Sequence, residues 1–152
     1  MPGYKGHLVG GVVVYTAMRY LLSGFSPSIC TSFEWLAVCL VGSLFPDVDI
    51  KSKGQKIFYR ILFGLSLFLL YNGNMLFLAW LGIAGLIPLV VGHRGVFHRM
   101  WFLSLLLLFS LFIVKLYAPG FVSIFFFDAL FFFVGIISHI WLDMGFKGLF
   151  RA

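Results

Sequence analysis

Charge is scarce in this chain. Asp, Glu, Lys and Arg make up 11% of its 152 residues, against roughly 25% in a soluble domain. Hydrophobic residues make up 62% and the mean hydropathy is +1.07, which excludes a water-soluble globule and indicates an integral membrane protein. The alternation of polar and apolar residues that a transmembrane barrel needs is also missing, so the continuous apolar runs read as helices. Cysteine is limited to Cys30 and Cys39. They lie in or beside one apolar segment and offer neither a thiolate metal spacing nor a disulfide framework. No internal repeat or low-complexity linker stands out. The first apolar run is interrupted by Thr16 and Arg19, lacks a small-residue cleavage site and follows a single lysine, so a cleaved signal peptide is not expected. At about 20 residues per crossing, the length accommodates five or six spanning helices. The expectation is an all-α, polytopic helical bundle forming one membrane domain over residues 1–152.

What is present divides into apolar segments near residues 8–24, 29–46, 57–71, 74–92, 100–118 and 121–142. They are separated by SGFSPS, PDVDIKSKGQK, YNGN, GHRGVFHR and YAPG, each with the Gly, Pro, Asn or charge that ends a helix. The phenylalanine-rich IFFFDALFFF reads as lipid-facing bulk. Trp35, Trp80, Trp101 and Trp141 read as interface anchors or packing residues. Asp128 and Glu34 receive no chemical role: Asp128 can snorkel, pair with Lys115 or accept a hydrogen bond from a neighbouring helix.

The cations are distributed unevenly. Lys5, Lys51, Lys53, Lys56, Arg60, Arg94, Arg99, Lys147 and Arg151 fall on one side if six helices all cross, and only Arg19 and Lys115 lie toward the other. The positive-inside rule makes that side cytoplasmic, with both termini inside. Lys51, Lys53 and Lys56 are read as setting topology and touching anionic headgroups, worth about 1 kcal/mol per residue near the surface. With a net charge of +6 but few cations, all close to the membrane, nucleic acid is not a favoured partner.

The chain has five carboxylates and four histidines. His7, Asp47, Asp49, His93, His98, His139 and Asp143 all fall at helix ends on the inner side, and only Glu34 and Asp128 lie elsewhere. A charged group within the bilayer costs several kcal/mol, so a chain this poor in charge keeps such groups where they are used or solvated. In SHIWLD, His139 and Asp143 are four apart and share one side of a helix. In PDVD, Pro46 stops the preceding helix and two aspartates one residue apart can turn toward one pocket. In GHRGVFH, Gly92 and Gly95 permit a tight turn between His93 and His98. His7 opens the first helix in KGHLVGG, where Gly10 and Gly11 let a neighbouring helix approach. Nitrogen and oxygen ligands without thiolate suit zinc first, with manganese or iron(II) as alternatives.

Each motif alone has a plainer explanation. His7 fits an interfacial histidine, PDVD an ordinary helix-ending turn, Asp49 a solvated carboxylate, the HxxxD spacing chance, and HRGxxH headgroup contact through Arg94. Their combination in one chain favours a metal site.

The early histidine followed by glycines, then LFPDVD, GHRGVFH and SHIWLD in that order, resemble the LexA-regulated, YdjM-like family of membrane-bound, metal-dependent hydrolases, over nearly the whole chain. The resemblance implies an inner-membrane hydrolase with a divalent metal. By motif it carries metal-ligand candidacy to His7, Asp47, Asp49, His93, His98, His139 and Asp143. Phe97 departs from the family pattern, in which a hydroxyl residue commonly precedes the second histidine of the HRG motif. A fainter similarity in the HxxxD pattern, to zinc-dependent phospholipase C, serves only to rank substrates.

The reaction expected is attack of a metal-activated water on a phosphoester or another ester, with Asp47 or Asp49 bridging ions or taking the proton and Arg94 clamping a phosphate oxygen. Membrane lipids are the expected surroundings, and a lipid or lipid-linked substrate entering sideways at the cytoplasmic headgroup level is the expected partner. Two rivals stand beside this reading. One is a metal-ion or proton transporter without hydrolytic activity. The other is a scaffold in which metal only staples short helices.

Overall fold

A computed structural model of the chain describes residues 3–49, 51–90 and 99–148. Among these residues six α-helices follow one another: α1 (Tyr4–Leu21), α2 (Ile29–Leu44), α3 (Lys53–Tyr71), α4 (Met75–Val90), α5 (Met100–Tyr117) and α6 (Val122–Gly148). Short 3-10 turns at Phe45–Asp49 and Pro119–Phe121 precede α3 and α6. No strand occurs among the described residues. Among the described residues, three segments are long and apolar enough to cross a membrane: Ile29–Val48, Met100–Tyr117 and Pro119–Gly145.

The helix ends have local causes. Ser28 Oγ accepts the Thr31 amide at 3.1 Å and Ser52 Oγ accepts the Gln55 amide at 3.0 Å, the side-chain caps that satisfy orphan amides at helix starts. The Ser52 cap makes Lys53–Lys56 the first turn of α3, whereas the polar composition of that stretch reads as loop. The cap starts the helix four residues before its apolar face begins. Gly73 supplies the positive φ of the α3–α4 turn (φ 69°), and Gly145, with φ 67° and ψ −177°, breaks α6 two residues after Asp143.

α6 is the central element and packs against α2, α1 and α5, while α1 also lies on α2; α3 and α4 pair with each other and meet the rest largely through the Phe45–Asp49 turn. The α2–α6 crossing is a direct backbone contact. A Cβ added at Gly42 would strike the carbonyl of Phe132, and one at Gly135 would strike the carbonyl of Cys39 and lie 2.8 Å from the Ser43 amide nitrogen. Close approach at small residues is how membrane helices associate when lipid gives no hydrophobic drive. α1 joins the crossing through Gly11, whose carbonyl accepts from Cys39 Sγ at 3.4 Å. Cys30 and Cys39 are both free thiols.

Two small cores flank this crossing. Val48, Leu103, Ile136 and Ile140 are buried together, and Trp35 packs with Cys39 and Phe131. The Trp35 ring stacks on Phe131 and Phe127 at centroid distances of 4.8 and 5.2 Å, so this tryptophan packs the interior while Trp101 and Trp141 are exposed. The phenylalanine run is likewise split. Phe126 faces outward, but Phe131 is fully buried and Phe132 packs on the core, because the helical period turns one side of any long apolar run toward its neighbours. The outer surface of α5 bears Leu105, Leu108, Phe109, Phe112 and Leu116, all exposed, a surface suited to lipid. Asp128 Oδ1 is buried without a hydrogen bond, and no ion pair joins Asp128 to Lys115 among the described residues.

The α2–α6 contact is testable by adding one methyl group. Gly135→Ala should lower stability by about 1–3 kcal/mol through overpacking. Gly64→Ala, at a helical position with nothing within 4 Å, should change it by less than about 0.5 kcal/mol or raise it slightly. Thermal unfolding of both variants in the same detergent measures the difference.

Candidate metal centre

The start of α1, the end of α2 and the end of α6 meet at one end of the bundle, bringing together His7, Asp47, His139 and Asp143. Ligand atoms of His7, Asp47 and His139 all lie within 4.8 Å of one another. His139 Nε2 is 3.5 Å from Asp47 Oδ1 and 3.5 Å from Asp143 Oδ2, and His7 Nε2 is 3.4 Å from Asp143 Oδ1. The two imidazoles stack with centroids 3.9 Å apart and planes 17° from parallel. Asp143 thus spans both rings with one carboxylate, as the four-residue spacing from His139 anticipates.

The orientation of His139 follows from a proline. In 3-10 geometry the carbonyl of Ser43 would accept from residue 46, but Pro46 has no N–H. That carbonyl lies 2.8 Å from His139 Nδ1. A carbonyl only accepts, so Nδ1 carries the hydrogen and donates it. Nε2 of the neutral ring is then the lone-pair nitrogen, and it faces oxygens of Asp47 and Asp143. An acceptor facing two carboxylates requires a cation or a proton between them.

The distances favour a cation. Charge-assisted N–H···O hydrogen bonds run at about 2.7–2.9 Å, shorter than the three separations here. One ligand atom from each of His7, Asp47 and His139 lies within 4.8 Å of the other two, close enough for the three to share one ion. Burial points the same way. The side chains of His7, His139 and Asp143 are only 2%, 0% and 6% exposed. No lysine or arginine pairs with Asp143 among the described residues, and a buried carboxylate calls for a compensating charge. Nitrogen and oxygen donors, with a backbone carbonyl fixing the imidazole from behind, are an arrangement suited to a divalent metal ion. Glycine lets the parts approach: a Cβ at Gly11 would lie 2.9 Å from Ser43 Oγ, and one at Gly10 would lie 2.6 Å from Leu142 Cδ1.

Four of the seven ligand candidates are therefore brought together. His93 and His98, with Arg94 between them, lie outside the described residues, as does the side chain of Asp49. The sequence motifs did not disclose the Ser43 carbonyl, whose only signal is the proline three residues later. Nor did they single out Tyr4, whose ring centroid lies 4.0 Å from Nζ of Lys53, a lysine the sequence assigned to topology and headgroup contact. An apolar groove of about 230 Å³ between α5 and α6, lined by Leu107, Leu111, Phe126 and Phe133 among others, includes none of the cluster.

The chain matches the family of YdjM inner membrane proteins over residues 1–148 and belongs to it. No curated protein and no solved structure gives a significant match.

Zinc should stabilise the purified protein by about 2.7 kcal/mol at a free concentration 100 times its Kd, visible as a rise in thermal midpoint. His139→Ala should abolish the rise. An equal rise in that variant would show that zinc binds elsewhere.

Proposed function

We propose that, as a member of the YdjM inner membrane protein family, this chain is a metal-dependent hydrolase acting at the cytoplasmic face of the membrane on a phosphoester or lipid-type ester. Six crossings with both termini inside accord with the cation distribution. The observation that carries the proposal is His139 Nε2 aimed at the carboxylates of Asp47 and Asp143, with its Nδ1 committed to Ser43. His7, Asp47, His139 and Asp143 hold the ion in this reading, zinc first and manganese or iron(II) next. Asp49, His93 and His98 complete the set on the strength of their motifs.

A divalent ion at this position would act as a Lewis acid and lower the pKa of a bound water far below its bulk value, toward about 7. The chain's residues divide the remaining work. The Ser43 carbonyl fixes the tautomer and aim of His139, and Asp143 holds His139 and His7 in register through its two oxygens. Asp47, at 22% side-chain exposure the most open of the four, stands where substrate arrives and is the base that takes a proton at a carboxylate oxygen. Arg94 is assigned to a phosphate oxygen of the substrate, a geometry that guanidinium matches bidentately. Buried apolar side chains behind the cluster, Val48, Ile136 and Ile140, keep bulk water out from that side.

A transporter would use the same residue types as a relay, but transport sites usually lie near the midplane on broken helices. Here the cluster lies at helix ends, at one end of the bundle. Asp47→Ala and His139→Ala should each lose bound metal and at least about 10³-fold of hydrolytic rate together, measured by elemental analysis beside a phosphoester and lipid substrate screen. Full activity in metal-free protein would reject the hydrolase mechanism, and metal flux into liposomes without ester turnover would favour the transporter.

A further inference from the structure

We propose that Lys53, held against the Tyr4 ring at the mouth of the histidine–aspartate cluster, binds the anionic phosphate group of the substrate, which makes the substrate class a charged phosphoester and not a neutral ester. This rests on the hydrolase reading and narrows it.

The mouth is located by exposure. Asp47 is 22% exposed while His7, His139 and Asp143 range from 0 to 6%, so approach to the cluster is from the Asp47 side. Three contacts tie Lys53 to that side. Ser52 Oγ donates to the Asp47 carbonyl at 2.9 Å while accepting the Gln55 amide, joining the first turn of α3 to the backbone of Asp47. Gly54 is buried, and a Cβ there would lie 2.6 Å from the Leu44 carbonyl, so α3 begins pressed against the end of α2. Tyr4 stands one turn before His7 on α1, and Lys53 Nζ sits 4.0 Å from its ring centroid. Residues on both sides of Lys53 are thus pinned, and its ammonium is guided by an aromatic face.

Among the described residues no carboxylate forms an ion pair with this ammonium. The first turn of α3 holds no acidic residue. A cation in the first turn opposes the helix dipole, a cost that the Tyr4 contact and an anionic ligand both offset. The ring takes one face of the ammonium through a cation–π contact and leaves N–H donors for a ligand. Phosphate oxygens give lysine a charge-assisted bond, while a neutral ester offers only a carbonyl. Lys56 and Arg60, farther along α3, line a separate shallow groove with Tyr59 and Phe63. That groove includes none of the cluster residues, which makes Arg60 a suitable control.

The test uses zinc-loaded, full-length protein in detergent with three substrates: p-nitrophenyl phosphate, phosphatidic acid in mixed micelles and the neutral ester p-nitrophenyl butyrate. Lys53→Met should raise KM for phosphoesters about tenfold with kcat within about twofold, leaving bound zinc and any butyrate turnover unchanged. Lys53→Arg should restore most of the loss, and Tyr4→Leu should reproduce part of it. An effect on both phosphoesters identifies recognition of the phosphate itself, and an effect confined to the micelles identifies a lipid headgroup. Unchanged KM in Lys53→Met, an equal rise for butyrate, or an equal rise in Arg60→Met would overturn the assignment. If the wild type hydrolyses none of the three, the hydrolase reading fails separately. Calorimetric binding of inorganic phosphate to the same protein then decides: binding about tenfold weaker in Lys53→Met upholds the role of Lys53, and equal binding, or none by the wild type, ends it.

Discussion

The hydrogen bond between His139 Nδ1 and the Ser43 carbonyl, 2.8 Å long, joins the last turn of α2 to the last turns of α6, and the candidate centre is organised around it. Pro46 favours it by withholding the N–H that a 3-10 turn would direct at Ser43. It also needs α2 and α6 in backbone contact, which Gly42 and Gly135 allow by having no side chain at the crossing. From it follow the tautomer of His139, the direction of Nε2, and the meeting of that nitrogen with Asp47 and Asp143. A buried histidine held in this way is preorganised, and reorganisation is what a weakly positioned ligand set would otherwise have to undergo on binding an ion.

Around this crossing the bundle manages the usual membrane conflict between apolar surroundings and polar chemistry. Lipid-exposed sides of α5 and α6 carry Leu and Phe, and small residues occupy the places where helices touch. Serines within the helices return their hydroxyls to the backbone: Ser66 donates to Leu62, Ser104 to Met100 and Ser110 to Leu106, each at 2.8 Å. Such self-satisfied hydroxyls add no polar demand in hydrocarbon. The ionisable groups are gathered instead at helix ends, where a 3-10 turn, a helix break at Gly145 and a serine cap supply irregular backbone. Asp128, deep in α6, and Glu34, within α2, are the carboxylates that lie elsewhere, and both stay outside the chemistry proposed for this chain.

The helices were legible because their signals are local. Apolar runs of the right length, Pro and Gly breaks, and the i, i+4 relation of His139 and Asp143 all survive into the structure. Boundaries were less legible where a cap competed with composition, as at Ser52, which draws Lys53–Lys56 into α3. The facing of the phenylalanine run was also hidden. Phe126 and Phe131 are identical in composition, and only the positions of α1 and α2 make one outward and the other interior. Three segments reach membrane-spanning length and hydropathy among the described residues, fewer than the five or six that chain length alone suggests.

By itself the sequence determined the membrane environment, the helical class and the small stock of groups able to do chemistry, because each depends on composition and on spacings within one helix. Tertiary structure decided which of those groups share a site. His7, Asp47 and His139 are separated by 40 and 92 positions, and no local periodicity relates residues so far apart. Their meeting depends on how closely three helices can cross, and that distance was settled by glycines at the crossings and by the hydrogen bond of His139 to the Ser43 carbonyl.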